Sequence, residues 1–490
     1  MTSAPPDAGR RENRRDRPEK HRDRRRPALI VLCFVQFMLV LDDNVVSVAL
    51  PTVRDDLGFG AAGLAWVVNA YFLAFGGLLL LSGRAADLLG RRRVFLCGVA
   101  LFGAASLLSG LAQEPWQLVA GRFAQGAGAA MASPASLSLI TLLFEEGRER
   151  ARALSVWGGV AGLGGTLGLV ISGVLTGLAS WRWVFLINLP VVVLVLVLLP
   201  RLVEESRATR PPRLDVPGAV LGTGAVLSLV FGLLQAGETG WGDRAVVVPL
   251  LLSAALAAAF LVVESRTAEP LVPLAFLAFR TRAVANVASL LFSAAFYAMA
   301  FLLMIHLQTV LDYGPLGVGI AYLPFCAGIL TGMWLSSHAL IRFGMRWSLV
   351  TSFLISAVGL LLLSGVAPGD AYATGVLPGM LVTSLGCGLS LPVLTVAAVT
   401  GTTEENAGLG SAVLTSVQQI GGAVGLSALV VLAARHGDAP DGSAAALEAA
   451  TDGYSDALAV AAGLVLLGAA VLAALLRNPE TRKTAEAPRT

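Results

Sequence analysis

The sequence predicts an all-α polytopic membrane protein, and three observations lead to this prediction. Of the 490 residues, 56% are hydrophobic and only 14% are charged, whereas soluble domains have about 25% charged residues. The apolar residues form continuous runs of about twenty, the length at which a helix crosses a hydrocarbon core. Arginine and lysine are concentrated in alternate loops between these runs, which is typical of cytoplasmic loops. A membrane β-barrel would instead show segments of about ten residues with alternating polarity.

Fourteen apolar runs are bounded by charges or by proline and glycine clusters, and each predicts one membrane-spanning helix. Their limits are 28–50, 62–83, 94–112, 116–143, 153–178, 183–200, 217–235, 246–263, 283–307, 316–338, 347–366, 375–400, 408–433 and 455–476. We interpret the first six and the last six as two bundles, with two helices inserted between them. The resulting segments are a disordered basic cytoplasmic tail at 1–27, an N-terminal bundle at 28–200, a cytoplasmic linker at 201–216, the inserted pair at 217–263, a second linker at 264–282, a C-terminal bundle at 283–476 and a tail at 477–490.

The distribution of positive charge predicts that both termini are cytoplasmic. With the N-terminus inside, thirty of the 35 arginines and lysines lie in cytoplasmic segments, as the positive-inside rule requires. Ten of the first 26 residues are basic, which favours contact of this tail with the anionic surface of the membrane. We expect no nucleic-acid partner, because no nucleic-acid-binding fold follows the tail.

No combination of residues in the sequence indicates an enzyme, a metal centre or a bound cofactor. The four cysteines are far apart within apolar runs, so they predict small core residues and no metal site. The glycine-rich stretch at 158–168 lacks the Gly-Lys-Ser/Thr ending of a phosphate-binding loop. Lysine occurs only at Lys20 and Lys483, beside abundant alanine, arginine and glycine, which is typical of a GC-rich bacterial genome. We therefore predict a multi-pass protein of the bacterial cytoplasmic membrane.

A weak internal repeat relates the two predicted bundles. The segment Ser82–Arg92 matches Ser336–Arg346 at an offset of 254 residues, and both segments lie in cytoplasmic loops after an even-numbered helix. Two parallel halves around a central site at the membrane midplane are a transporter architecture. The repeat therefore favours transport as the function.

Two adjacent acids, Asp42 and Asp43, interrupt the first apolar run. A carboxylate at the centre of a membrane helix costs about 2.5 kcal/mol or more, and such groups mark ion or proton sites. Asp42 lies nine residues before Pro51, about 13 Å from the predicted outer end, and Arg122 lies about 9 Å from the same side in the fourth helix. The two charges can therefore neutralise each other. Because successive helical residues point about 100° apart, Asp42 and Asp43 cannot both face one cavity.

The loop Gly83–Arg93 resembles the signature between helices two and three of the major facilitator superfamily. The matching positions are Gly83, Arg84, Asp87, Gly90, Arg91 and Arg92. The resemblance implies the major facilitator fold, and it implies that Asp87 belongs to a charge network that closes one conformation. We expect Asp87 to act near the positive N-terminal end of a helix in the other half, around Ala407–Gly408.

Other segments resemble the fourteen-helix drug:proton antiporter branch of that superfamily. They are Leu41–Pro51, Trp66–Tyr71, Leu118–Gly128, Trp181–Pro190, Leu214–Gly218 and the region of Gln308. The resemblance implies a proton-coupled antiporter that exports amphipathic drugs or antibiotics by alternating access. It also implies a monomer whose partners are protons, an amphipathic small molecule and the lipid bilayer, with the proton gradient in place of a cofactor.

The fifth predicted helix carries the glycine pattern of the same branch, with two departures. Its small residues are Gly158, Gly162, Gly164, Gly168, Ser172 and Gly173. The usual Gly-Pro pair is Gly168–Leu169 in this chain, and the later Gly-Gly pair is Ser172–Gly173. Small residues four apart let two helices approach closely, so we expect this face to pack against another helix.

The resemblance assigns proton coupling to the first and fourth helices. The acid of the helix-one motif aligns with Asp42, so we expect Asp42 to face the cavity and to exchange protons with the help of Arg122. Asp43 occupies a variable position of the motif, and three roles stay open for it: a second proton site, a cation site or the partner of Arg122. Burial favours the neutral form of a carboxylic acid, and a nearby arginine favours the charged form. A change between these surroundings would therefore load and release a proton.

Polar residues within the predicted helices are candidates for the substrate cavity. They are Asn44, Asn69, Gln125, Tyr297, Gln308, Tyr322, Gln418 and Gln419. We expect no acid inside the helices of the C-terminal half, which favours a monocationic, neutral or zwitterionic cargo. A dedicated exporter of one endogenous metabolite, lipid or peptide is the alternative function, and a non-transporting membrane sensor is a third.

Overall fold

The computed structural model describes residues 9–144, 148–206, 214–267, 269–272, 276, 278–367, 369–400, 404–436 and 444–476. For 9–24, 404–408, 444–447 and some single positions it describes the backbone alone. Every regular element among these residues is a helix, which confirms the all-α prediction.

The α-helices of the described chain are numbered in chain order. They are α1 (Gly9–Leu57), α2 (Ala61–Leu89), α3 (Arg91–Gly110), α4 (Pro115–Leu143), α5 (Arg148–Leu178), α6 (Trp183–Leu186), α7 (Asn188–Leu202), α8 (Val216–Thr239), α9 (Arg244–Arg266), α10 (Arg280–Thr309), α11 (Pro315–Ala321), α12 (Leu323–Ser364), α13 (Leu377–Val399), α14 (Glu404–Ala433) and α15 (Ala444–Leu475). A π-helical turn, Tyr372–Val376, precedes α13, and a 3-10 turn, Ala434–His436, follows α14.

Fourteen membrane crossings follow from these helices. Thirteen helical stretches of the described chain are long and apolar enough to cross a membrane, and one of them, Pro315–Ser364, has 50 residues. Gly344 interrupts that stretch with non-helical angles, φ 69° and ψ 170°. Since about 20 residues complete one crossing, the stretch makes two, at 315–343 and 345–364. The described residues therefore contain the number of spans that the sequence predicts.

Two helices begin earlier than predicted. α1 begins at Gly9, within the segment expected to be disordered, where arginine, glutamate and lysine are good helix formers. α15 begins at Ala444 rather than at 455, and it therefore includes Glu448 and Asp452 in addition to Asp456, which the predicted span 455–476 already contained. The expectation that the C-terminal helices lack acids was wrong. All three acidic side chains are exposed, in the first turns of α15.

Both described ends of the chain lie on the same side. We call the side on which α1 ends, at Leu57, the outer side, and the side of the Gly83–Arg93 loop the inner side. Arg25 of α1 lies 3.9 Å from Glu149 at the inner start of α5. The carbonyl of Leu475, at the end of α15, accepts a hydrogen bond of 2.8 Å from Nε of Arg280, at the start of α10. An even number of spans produces this arrangement.

Helices α1–α7 form one bundle and α10–α15 form another, with the inserted pair α8 and α9 beside them. The ring of Phe231 on α8 lies 6.3 Å from the ring of Trp66 in the N-terminal bundle, between centroids. Gly237 on the same helix packs against Val431 of α14 in the C-terminal bundle. The inserted helix α8 therefore contacts both halves where they meet.

The internal repeat appears in the backbone as two glycines with positive φ, 254 positions apart in the sequence. Gly90 (φ 116°) separates α2 from α3, and Gly344 (φ 69°) separates the two spans of α12. Arg92 follows the first glycine and donates to a backbone carbonyl at the end of α7 at 3.0 Å. Arg346 occupies the equivalent position and donates to a carbonyl near the end of α15. In each half, an arginine thus meets the negative end of the last helix.

Replacing Gly344 by alanine should lower the thermal stability, because a side chain at left-handed backbone angles costs about 1–2 kcal/mol. Gly463→Ala is the matched control, since nothing lies within 4 Å of the Cβ that it would add and alanine is favoured over glycine in a helix by about 1 kcal/mol. Thermal unfolding in detergent should show Gly344→Ala melting below the wild type and Gly463→Ala at or above it. Equal melting of the two variants would contradict the backbone geometry at Gly344.

Candidate functional site

Asp42 lies in the interior of the N-terminal bundle with no exposed surface. Its Oδ2 accepts a hydrogen bond of 2.6 Å from Nη1 of Arg122 on α4. Its Oδ1 accepts hydrogen bonds from Nδ2 of Asn188 on α7 at 2.7 Å and from Nε2 of Gln125 on α4 at 3.1 Å. Both oxygens are therefore partnered, as a carboxylate requires where water is excluded.

Arg122 is almost as completely enclosed, with 1% of its side chain exposed. Its Nε donates to the carbonyl of Val67 on α2 at 3.0 Å, and Nη1 also donates to Oε1 of Gln125 at 3.2 Å. The guanidinium carbon lies 4.4 Å from the centroid of the Tyr71 ring, within the range of a cation–π interaction. Arg122 thus connects α4 with α1 and α2 and leaves Asp42 without access to solvent in this conformation.

Two polar residues of this network were missed in the sequence. The hydroxyl of Ser106 on α3 accepts from Nε2 of Gln125 at 2.8 Å and from Nδ2 of Asn188 at 3.4 Å. It therefore positions both amides that donate to Asp42. Asn188 belongs to the segment Trp181–Pro190, which resembles the antiporter branch, and that was the available signal. Ser106 is a serine in an apolar run, and no sequence pattern indicated its role.

Asp43 lies on a different face of α1 from Asp42. The partly exposed positions in this part of the helix are 37, 40, 43, 44 and 47, whereas 41, 42, 45 and 46 are buried. We predicted that Asp42 faces the cavity, and this assignment stays a prediction; in this conformation Asp42 is buried and Asp43 is partly exposed. The donors of α4 and α7 enclose Asp42 within the bundle, and the 100° step to the next residue places Asp43 on the exposed stripe.

Two of the predicted cavity residues connect the halves in the outer part of the molecule. Asn69 of α2 donates from Nδ2 to the hydroxyl of Ser427 on α14 at 2.9 Å. Gln308 of α10 donates from Nε2 to the carbonyl of Val48 on α1 at 3.1 Å. These side chains therefore join the two bundles in this conformation.

The other predicted cavity residues occupy different surroundings. Asn44 is partly exposed and donates to a carbonyl of its own helix at 2.9 Å. Tyr322 is buried and donates to a carbonyl of α10 at 3.0 Å. Gln419 is buried where α14 packs on α2, whereas Gln418 and Tyr297 are partly exposed. Asn44, Gln418 and Tyr297 are thus partly exposed, whereas Tyr322 and Gln419 are buried.

Small residues of α5 lie against α1. A Cβ at Gly164 would lie 2.9 Å from the carbonyl oxygen of Phe37, and one at Gly168 would lie 3.1 Å from that of Leu41. Ser172, one turn further, donates from Oγ to the backbone of α1. Any larger side chain at these positions would separate the two helices.

The described contacts along α5 differ between its two ends. At the outer end, a Cβ at Gly173 would lie 2.6 Å from the carbonyl oxygen of Pro315 on α11 in the other half. Towards the inner end, nothing lies within 4 Å of a Cβ at Gly158, and the surroundings of Gly162 lie outside the described side chains. Together with the two outer hydrogen bonds, the contact at Gly173 indicates that the two halves meet on the outer side.

The inner loop between α2 and α3 depends on Glu205, which was not identified from the sequence. Gly83 lies beside α4, and Gly90 leaves room for the Glu205 carboxylate. The carboxylate accepts hydrogen bonds of 3.1 Å from the backbone N–H groups of Arg92 and Arg93. Glu205 therefore caps the positive N-terminal end of α3.

Arg84 and Asp87 both make contacts at the inner loop. Arg84 donates to the backbone carbonyls of 269–270, in the segment after α9. Asp87 pairs with Arg91 of the same loop, 2.8 Å from Oδ1 to Nη2. The predicted contact of Asp87 with the helix start around 407–408 involves side chains that the structure does not describe, so it stays a prediction.

A family model described as Major Facilitator Superfamily matches residues 32–426. The chain belongs to the major facilitator superfamily. The resemblance of its inner loop and of its helix-one segment is thereby confirmed. As a member of this superfamily, the protein is a multi-pass membrane transporter rather than an enzyme.

Known relatives and structures extend the comparison. This major facilitator protein is 39% identical over 472 residues to the puromycin resistance protein pur8 of Streptomyces alboniger. The aligned region covers 94% of this chain and 92% of the relative. It is 39% identical over 458 residues to the cephamycin export protein CmcT of Amycolatopsis lactamdurans, covering 92% of each. A crystal structure of a POT family transporter in complex with a thioalcohol-conjugated peptide has a TM-score of 0.65 at 17% identity, covering 90% of this chain and 94% of that one. The fold is therefore shared with a solved transporter.

Replacing Arg122 by methionine should strongly reduce stability, because Asp42 would remain as a buried charge without its counter-ion, at a cost of about 3–5 kcal/mol. The double variant Asp42→Asn with Arg122→Met should recover most of that loss. Arg182→Met is the matched control: Arg182 pairs with Asp56 at 2.7 Å in an exposed position, where such pairs contribute about 1 kcal/mol or less. Melting temperatures in detergent compare the stability of Arg122→Met, the double variant and Arg182→Met with that of the wild type. A double variant as unstable as Arg122→Met would contradict the ion pair.

Proposed function

We propose that this major facilitator protein exports amphipathic antibiotics or drugs across the bacterial cytoplasmic membrane in exchange for protons. The observation that supports it best is the enclosed pair of Asp42 and Arg122, 2.6 Å apart inside a bundle of membrane-spanning helices. Ionisable groups at this depth mark ion pathways and proton relays. The proton gradient supplies the energy in this proposal, so no cofactor takes part.

The proton occupancy of Asp42 changes only if its surroundings change. In the conformation described, Arg122, Gln125 and Asn188 all donate to its carboxylate, which favours the charged form. A rearrangement that withdraws these donors while Asp42 stays away from bulk water favours the neutral form. A tenfold difference in proton concentration across the membrane is worth about 1.4 kcal/mol per proton exchanged, and any net charge moved adds about 2.3 kcal/mol per 100 mV.

Alternating access is the proposed route of transport. On the outer side, the halves are connected by the short side chains of Asn69 and Ser427, by Gln308 and by the packing of Gly173 on α11. Such contacts between small or neutral groups can separate without exposing a buried charge. Opening them while the inner parts of α5 and the C-terminal half approach each other would expose the central residues to the outside.

The substrate class follows from the relatives and leaves a second candidate. The names of pur8 and CmcT refer to resistance to, or export of, an antibiotic, and we infer an antibiotic-like cargo for this chain. Each name refers to a single compound, which favours a dedicated exporter as the second candidate. Transport of both puromycin and the unrelated dye ethidium in proteoliposomes would support a broad exporter, and transport of one compound alone would support a dedicated one.

Asp42→Asn should abolish proton-driven export, because the amide cannot exchange a proton. Inside-out membrane vesicles with an acidic interior should accumulate puromycin with the wild-type protein and show less than a tenth of that accumulation with Asp42→Asn. Asp56→Asn is the control, since it removes an acid from the exposed outer pair, and it should retain wild-type accumulation. Wild-type accumulation by Asp42→Asn, or accumulation that survives collapse of the gradient, would refute the proposal.

Joining the halves on the outer side should stop transport. In a protein whose native cysteines are replaced by alanine, Asn69→Cys and Ser427→Cys would be linked by a short bis-methanethiosulfonate reagent, which forms a reducible disulfide with each thiol and releases a sulfinate. Vesicle transport should be lost after linking and return after reduction. The control pair is Ser364→Cys and Ser455→Cys, because these residues meet within the C-terminal half, and linking them should leave transport intact. Continued transport with the first pair linked would exclude outward opening at this position.

A further inference from the structure

Asp43 has an unsatisfied carboxylate oxygen in the interior of the protein. Its Oδ1 is buried and has no hydrogen-bond partner among the described residues, whereas both oxygens of Asp42 are partnered. Arg122 interacts electrostatically with both acids, but its hydrogen bond goes to Asp42. When both acids are ionised, two negative charges share one arginine, so Asp43 can pair with a further cation.

A row of aromatic rings, Tyr71, Phe72, Tyr297 and Phe296, passes from the N-terminal to the C-terminal bundle near Asp43. The carboxylate of Asp43 interacts electrostatically with the phenol groups of Tyr71 and Tyr297. Neighbouring ring centroids in the row are 6.4, 4.6 and 5.7 Å apart. Aromatic faces attract organic cations and pack against other rings, so the partly exposed rings of Tyr297 and Phe296 extend the site of Asp43 with surface suited to an aromatic cation.

Part of the site is exposed. Asp43, Tyr297 and Phe296 are all partly exposed, whereas Tyr71 and Phe72 are buried. An inorganic cation such as Ca²⁺ takes about six to eight oxygen ligands, and no group of three acidic, histidine or cysteine side chains in the described residues could bind a metal. One carboxylate beside several rings suits a bulky organic cation instead.

We propose that Asp43 binds the positive charge of a singly charged aromatic cargo, and that Arg122 displaces this cargo by pairing with Asp43 when Asp42 takes up a proton. The proposal rests on the proposed function and specifies its cargo and its coupling step. With Asp42 charged, Arg122 stays on Asp42 and Asp43 is free for the cargo. With Asp42 neutral, Arg122 loses its partner and the remaining carboxylate is Asp43. One proton is thereby exchanged for one monovalent cation.

The ionisable groups around Asp43 allow this transfer. They are Asp42 on the same helix, Tyr71 on α2, Arg122 on α4 and Tyr297 on α10. Arg122 is the cation of this set, and both acids compete for it. Neither tyrosine offers a positive charge, so a cargo cation and Arg122 are alternative partners of Asp43.

Binding of tetraphenylphosphonium to the purified full-length protein in detergent, measured by calorimetry, tests the proposal. Asp43→Asn should weaken binding at least tenfold, and Asp43→Glu should stay within threefold of the wild type. Asp42→Asn resembles the protonated state and should also weaken binding at least tenfold, because Arg122 turns to Asp43. The double variant Asp42→Asn with Arg122→Met should return to within threefold of the wild type, since the competing cation is gone. Size-exclusion profiles and melting curves show that each variant is folded.

Each result decides one part of the proposal. Absence of tetraphenylphosphonium binding by the wild type, or unchanged binding by Asp43→Asn, would overturn the cation site. Unchanged binding by Asp42→Asn, or a double variant as weak as Asp42→Asn, would overturn the role of Arg122. The proposed function fails separately, if Asp42→Asn still accumulates puromycin in vesicles while Asp43→Asn loses tetraphenylphosphonium.

Discussion

The pairing of Asp42 with Arg122 is the interaction on which the N-terminal bundle depends. Neither charge is stable alone in surroundings without water, so every polar group near them has to be oriented towards one or the other. Gln125 and Asn188 donate to the acid, the backbone of α2 accepts from the arginine, and Ser106 positions the two amides. Five helices, α1–α4 and α7, thereby meet at one ion pair. A change in the protonation of Asp42 would therefore alter contacts of all five helices.

Close packing of small residues lets this charged centre move with the bundle as a unit. Gly164 and Gly168 bring α5 against α1, while Gly173 brings the same helix against α11 of the other half. One helix, α5, thus contacts both α1, which carries Asp42, and the other half. The two positive-φ glycines, Gly90 and Gly344, mark equivalent turns of the two halves, and an arginine beyond each meets the last helix of its own half. Each bundle is therefore tied together internally, as a rigid-body motion of the halves requires.

Much of the fold could be predicted from the sequence, and the site only in part. Apolar run length and charge distribution predict the spans, because the bilayer imposes both. The orientation of Asp42 could not be predicted, since the rotation of α1 depends on donors from α4 and α7, which are remote in sequence. Glu205 and Ser106 were missed for the same reason: a glutamate in a linker and a serine in an apolar run acquire their roles only through tertiary contacts. The early start of α15 was missed because Glu448, Asp452 and Gly453 interrupt the apolar run by which hydropathy identifies a span.

Infrared difference spectroscopy offers the most direct test of the central claim, that Asp42 is a carboxylate which gains and loses a proton inside the protein. Acidification of the reconstituted wild-type protein should produce a band of a buried, protonated carboxylic acid. The account predicts that this band persists in Asp43→Asn and disappears in Asp42→Asn. A band that is unchanged in Asp42→Asn would contradict it.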